Sequence, residues 1–381
     1  MHKHTVQAKS LFSIKNIISI PLACSVLTSL LVGLPMVSAG QVYEGLEPAQ
    51  GVFKNSDVIL YQSMLAGGSL KVCSSYSPQN CEAPKGVPAG KVQIRYEINP
   101  QALQRLDKFM QETPVQSTKK ALSSILEALN KRLVNDTFSR NELFDFMAQK
   151  DLLGQIDSLD DHAYFALLDH LELAQTQNTG GGQGLKRLQE VANVSLSRSA
   201  ASKAVFSAFV EQIKYRAVSA KQIPHVLIIT ASSRDAFEVS DFYQSAFASL
   251  GINVTWLPVD VSVANAMDAK AIFPNACNRL DEFRQQNAVF DRERIYPELS
   301  ALQAQFCNDP QRFTALIEQA QAVFINGGDQ SKTLAALRSQ HGSYFPFWQQ
   351  ILNKVNTGGM IVGGTSAGAA VQSGTHYAGR P

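Results

Sequence analysis

MIVGGTSAGAA, residues 360–370, decides how this chain is read. Met360, Ile361 and Val362 form a short apolar strand, Gly363, Gly364 and Gly368 crowd Ser366, and a run of small residues opens a helix. Residues 364–368 satisfy the pattern G-x-S-x-G. A serine on such a strand-to-helix turn holds a strained backbone conformation, and its hydroxyl stands exposed above the sheet. Its neighbours must be small because other backbone passes close to them. The Ala367 N–H is then a natural donor to an oxyanion. The plainer alternative is a glycine-rich turn with Ser366 as a helix N-cap. The strand before it and the small residues after it favour a nucleophile.

Two further strand ends belong beside this one. AVFIN (322–326) reads as a strand and runs into the turn NGGDQS (326–331), where Gly327 and Gly328 let backbone approach a substrate. Gly328 offers a second oxyanion donor, and Gln330 offers both a donor and an acceptor to a peptide group. Asp329 either joins this site or caps the next helix. HVLIIT (225–230) is a strand of the kind buried on both faces. It leads into TASSRD (230–235), where Ser232 and Ser233 line a pocket or simply cap and turn. Helical patterns at 240–250, 312–319, 331–337 and 347–355 and a strand at 253–258 fill the intervals, with Asp241 favourable at a helix start. Strands alternating with helices imply a parallel α/β sheet with helices on both faces. Its ligand site is expected at the carboxyl ends of the strands.

Upstream, residues 58–72 (VILYQSMLAGGSLKV) read as a strand, a turn at Gly67-Gly68, and extended chain. From Asn99 the period becomes helical, at 102–110, 119–133, 141–153, 163–174 and 185–217. The polar break QTQNTGGGQG (175–184) reads as a mobile loop, since no strand feeds it and no Lys-Ser pair follows, as a phosphate loop requires. Residues 40–98 are therefore assigned to the first strand region, 99–220 to an all-helical insertion, and 221–381 to the main α/β domain.

Composition narrows the function classes. An apolar share of 45% is that of a folded protein. The net charge of +2 comes from Lys3, Lys9 and Lys15 in an acid-free leader; the remainder holds 31 basic and 32 acidic residues. A nearly neutral body argues against nucleic acid or an anionic membrane as partner. Residues 1–39 read as a signal peptide, with an apolar stretch at 17–36 and the small residues Val37-Ser38-Ala39 before the cleavage point. A retained membrane anchor and a lipoprotein site at Cys24 are the alternatives. The mature chain is expected to be periplasmic or secreted, with no stable membrane association. Four cysteines remain, and an oxidising compartment favours the local pair Cys73–Cys81, which leaves Cys277–Cys307. A four-cysteine metal site lacks the short spacing it needs. Asp161-His162 and Asp169-His170 place two histidines on one helix face, where a solvated face is the default over a metal site. Asn135, Asn193 and Asn253 open N-x-S/T sequons. No metal or cofactor is expected.

Three motifs together carry a resemblance. GGTSAGAAV (363–371), FINGGDQ (324–330) and ITASSRDAFEVSDFYQSAFASLG (229–251) resemble cyanophycinase and related serine exopeptidases, and Gly67-Gly68 looks like that family's opening turn. The likeness covers about 58–73 and 225 onward. It implies a flavodoxin-like fold akin to class I glutamine amidotransferases, with the helical block as an insertion. It also implies Ser366 as nucleophile, Gln330 in the pocket, and hydrolysis of a peptide or isopeptide bond through an acyl-enzyme. Cyanophycinase cleaves an aspartate–arginine polymer and a related dipeptidase releases N-terminal aspartate. An exported protein need not meet that polymer, so another peptide substrate is expected. The family's base and acid lie downstream of the elbow, and only fifteen residues follow Ser366. His376 is the imidazole among them, and no acid follows Ser366 to orient it. The chain is accordingly expected to be a truncated, impaired product of a longer peptidase, with homodimer formation left open. A non-catalytic peptide-binding protein and an α/β-hydrolase esterase are the competing readings. The second shares G-x-S-x-G but fits FINGGDQ and TASSRD poorly.

Overall fold

A computed structural model describes residues 59–68, 70–83, 86–131, 137–178 and 185–372. The expected leader, Cys24, the sequon at Asn135, residues 179–184 of the glycine-rich break, and His376 lie outside the described residues.

The first strand is β1 (Ser63–Ala66), after which the chain leaves the sheet. The short β2 (Cys73–Ser74) is tied by the Cys73–Cys81 disulfide. β3 (Tyr96–Glu97) leads into α1 (Pro100–Glu112). That helix begins where the Asn99 side chain accepts from Ala102 N–H, with Pro100 supplying a preset φ in the first turn. α2 (Gln116–Asn130) follows, and then β4 (Thr137–Phe138), antiparallel to β3. α3 (Arg140–Gln149) opens with a reciprocal capping box between Ser139 and Glu142. The single helix expected over 141–153 is broken instead, because Asp151 takes φ 54°. α4 (Leu153–Asp157) and α5 (Asp161–Leu171) complete the group. Leu103, Leu106, Leu122, Ile125, Phe146 and Leu167 pack into a core of their own.

Beyond α5 the structure departs from the expected helix. β5 (Thr176–Asn178) and β6 (Leu185–Arg187) pair as an antiparallel ribbon, and β7 (Ala192–Asn193) pairs with β2. Helix resumes only at α6 (Ala200–Ala220). A regular alternation follows: β8 (His225–Ile229), α7 (Ser240–Ala248), β9 (Asn253–Trp256), α8 (Val261–Ala269). Next come α9 (Leu280–Gln286), α10 (Arg292–Ile295), α11 (Pro297–Asn308) and α12 (Gln311–Gln319), with the Cys277–Cys307 disulfide pinning α11 to the turn before α9. The last elements are β10 (Ala322–Ile325), α13 (Gln330–Leu337), α14 (Pro346–Asn356), β11 (Ile361–Thr365) and α15 (Ala367–Ala370).

β1, β11, β10, β8 and β9 form one sheet in that order, and every pair is parallel. Numbered from β8, the run β9-β8-β10-β11 reads 2-1-3-4. That order is compatible with a flavodoxin-type doubly wound sheet, with the next position held by β1. All five residues of β8 and of β11, and all four of β10, are buried. Their alternate side chains face two separate layers. Leu227, Ile229, Val323 and Ile325 pack against Phe313, Ile317, Trp348 and Ile351 of α12 and α14. Val226, Ile228, Phe324 and Ile361 pack against Phe206, Phe209 and Ile213 of α6 and Phe247 of α7. The near-continuous apolar runs HVLII and AVFI are what a sheet covered on both faces requires.

An ionic seam joins α5 to the loops beyond β8 and around α10. Arg292, 1% exposed, reaches Asp235 at 2.6 Å and Glu172 at 3.0 Å. Arg234 grips Asp169 through both terminal nitrogens, at 2.8 and 3.0 Å. Burial, and then the like charges of Asp235 and Glu172, push the Glu238 carboxyl up to about 7. His162 and His170 do share a face of α5, but both rings pack on Phe290. His162 Nε2 meets the Gln285 carbonyl at 2.8 Å, and His170 Nδ1 lies 3.1 Å from Asp291. Among the described residues no cluster of His, Cys, Asp or Glu is arranged to hold a metal ion, and no helix is long and apolar enough to cross a membrane.

Candidate active site

Because β1, β8, β10 and β11 are parallel, their carboxyl ends emerge on one edge. There Asn326, 1% exposed, ties two of the turns together. Its Oδ1 accepts from Ser232 N–H at 3.1 Å and its Nδ2 donates to Ser233 Oγ at 2.8 Å. Asp329 N–H donates to the Ser232 carbonyl at 2.7 Å. The other two turns are joined across 298 residues of sequence, where Thr365 Oγ1 donates to Gly67 O at 2.8 Å. Ser366 N–H extends the same pairing to Ala66 O at 3.1 Å.

Ser366 is the strained point of this edge. It takes φ 52° and ψ −116°, a combination open to glycine and sparsely visited by other residues. The conformation costs about 1–3 kcal/mol. The preceding strand and the next two residues are buried, yet Ser366 is exposed. Ser366 occupies the N-cap position of α15, but its side chain makes no capping bond to the helix. The glycines around it answer to close packing of backbone. A Cβ on Gly364 would lie 2.3 Å from the Gly368 carbonyl oxygen, and one on Gly368 would lie 2.2 Å from Ile325 O. Gly328 has φ 146°, and a Cβ there would meet Ser232 O at 2.2 Å. Any larger residue would push these three turns apart.

Ser366 stands between the glycine turns after β1 and β10. A Cβ built on Gly68 would come within 3.8 Å of Ser366 Oγ, and one on Gly327 within 3.1 Å of Ser366 Cβ. A cleft of about 350 Å³ opens at this point, within the range of small-ligand sites. Gly68, Gly327, Gly328, Thr365 and Ser366 form its polar side, and Leu70, Phe206, Phe242 and Tyr243 form its wall. The Gly327 N–H donates to the Tyr243 hydroxyl, whose own proton is firmly held because burial pushes its pKa up to about 12. The Gly328 N–H finds no acceptor among the described residues. Ala367 N–H is the first amide of α15 and has no partner within the helix.

The other sequence candidates take different places. Ser233 holds Asn326 rather than lining the cleft, and Ser232 Oγ bonds Thr333 Oγ1. Asp329 caps α13, accepting from Ser331 N–H at 2.8 Å, and that bonding to Ser331 holds its carboxyl below the ordinary range. Gln330 begins α13 and is not among the residues lining the cleft. No described imidazole or carboxylate lines the cleft. Sequence reasoning missed the wall. Phe206 comes from α6, inside the block read as an insertion, and Phe242 and Tyr243 come from the first turns of α7. The adjacent aromatics in SDFYQS were the available signal. Comparison with protein-family models and with curated proteins finds no match for this chain.

Proposed function

We propose that this chain carries the nucleophile and substrate cleft of a serine hydrolase that cleaves peptide-type bonds, of the cyanophycinase kind that its three turns resemble. The observation that carries the reading is Ser366: exposed, at φ 52°, uncapped, and opening into a cleft. In this reaction Ser366 Oγ attacks the substrate carbonyl carbon. The carbonyl electron pair moves onto oxygen, where Gly328 N–H and Ala367 N–H donate to it. Collapse breaks the C–N bond, the hydroxyl proton passes to the leaving amine through a base, and water then hydrolyses the ester to free Ser366. His376 is the first imidazole downstream of the elbow and the candidate for that base. Two disulfides support an exported setting.

A fluorophosphonate should label Ser366, as read by peptide mapping, and Ser366→Ala should abolish labelling and lower peptide hydrolysis by about 10⁴-fold or more. Hydrolysis that survives Ser366→Ala overturns the reading. The absence of a base among the cleft-lining described residues favours a second reading, a peptide-binding protein without turnover. In that case peptide binding persists in Ser366→Ala and no covalent label forms.

A further inference from the structure

We infer that the cleft beside Ser366 is a neutral, aromatic-walled subsite that takes a large apolar side chain, of the phenylalanine or leucine type, on the acyl side of the bond to be cleaved. The inference rests on the nucleophile reading above and adds a substrate class to it. The family resemblance implies aspartate at this position; the chemistry of the wall points elsewhere.

Leu70, Phe206, Phe242 and Tyr243 supply the side chains that face the space next to Ser366, and none of them carries a charge. Phe206 is 1% exposed and is locked from behind by Phe247 and Phe324, with ring centroids at 5.1 and 6.0 Å. The wall is therefore rigid rather than adaptable. Tyr243 packs in turn on Phe324, with ring centroids 5.6 Å apart. Asp329, next to Gly328, is engaged with α13, and Asp241, next to Phe242, is held by Arg187; neither is among the residues lining the cleft. A carboxylate placed against this wall would meet no cation among the described lining residues and would give up part of its hydration, which costs free energy. A benzyl or isobutyl group would instead gain about 25 cal/mol for each Å² of apolar surface removed from water. A volume of about 350 Å³ leaves room for such a side chain together with the backbone that presents it.

The test uses diphenyl aminoalkylphosphonates with one warhead and four side chains: benzyl, isobutyl, carboxymethyl and guanidinopropyl. In each, Ser366 Oγ forms the new bond to phosphorus, a phenoxide leaves, and the serine proton ends on phenol. The benzyl and isobutyl probes should label Ser366 about 10²-fold faster than the carboxymethyl probe, a discrimination of the size that apolar pockets reach. Phe242→Lys, with its fold checked by circular dichroism and Tm, should slow the benzyl probe and speed the carboxymethyl probe. Labelling of Ser366 that is equal across the four, or fastest with carboxymethyl, overturns the subsite and leaves the nucleophile standing. A fluorophosphonate that labels no Ser366 in folded protein overturns the nucleophile, and the subsite falls with it.

Discussion

The turn after β11 and the seam around Arg292 both gather polar groups, and they are built in opposite ways. The seam concentrates charge. Arg292 pairs with Asp235 and Glu172, and Arg234 pairs with Asp169, all buried or nearly so. The turn holds no charge among its lining residues; it has a strained serine, two glycine turns and an aromatic wall. Charge density alone would have directed attention to the seam. Its groups are occupied mainly with one another, although Glu172 Oε1 and Arg292 Nη2 have no hydrogen-bond partner among the described residues. The turn leaves its hydroxyl and two amides without hydrogen-bond partners among the described residues. What marks the candidate site is an exposed hydroxyl held in place by strain, whereas the ionisable groups of the seam are buried and paired across elements.

That contrast is broken most directly at Arg292. Arg292→Met removes the cation that pairs with Asp235 and Glu172 in a buried place, while Asp169 keeps Arg234. Unfolding in urea should show a loss of about 3–5 kcal/mol. The exposed Arg279, which precedes α9 and pairs with Glu282 in its first turn, should show no change in Tm when replaced by alanine. Equal effects at the two positions would mean that the seam is not a structural joint.

The next largest effect belongs to the elbow. Gly364→Ala places a methyl 2.3 Å from the Gly368 carbonyl, against backbone that has nowhere to move. A loss of about 3 kcal/mol is expected, together with loss of Ser366 labelling. At Gly67 nothing lies within 4 Å of an added Cβ. Gly67→Ala should stay within about 0.5 kcal/mol of wild type, by the same urea measurement. A large loss at Gly67 would break the claim that packing at the elbow sets which glycines are required.

The elbow was legible because its cause is local. Met360 to Gly368 contains the strand, the small residues and the serine, and each dictates the backbone within a few positions. The disulfides were legible from spacing, and the pairs Cys73–Cys81 and Cys277–Cys307 are the ones formed. The location of β1 beside β11 was not legible, since no pattern in SMLA specifies a partner so distant in the chain. The aromatic wall was hidden for a related reason. Phe206 belongs to a helix whose apolar residues read equally well as the core of a separate block, and only the sheet shows that α6 covers β8, β10 and β11. The β5–β6 ribbon was lost because a glycine-rich break masks two short strands whose residues are mostly polar.

The smallest expected effect tests whether strain and function are coupled at Ser366. Ser366→Gly removes the Cβ that makes φ 52° unfavourable and recovers part of about 1–3 kcal/mol. Glycine also widens the unfolded ensemble, which takes back about 0.4–1 kcal/mol. A net gain of about 1 kcal/mol in urea unfolding is expected, with labelling lost. Ser366→Ala keeps the Cβ, so it loses the same labelling without the gain in stability. The difference between the two variants therefore reports strain less the unfolded-state entropy of glycine, with no contribution from the hydroxyl, which neither has. If Ser366→Gly is no more stable than Ser366→Ala, the strain at the serine does not exceed that entropy, and the distinction drawn between the turn and the seam fails.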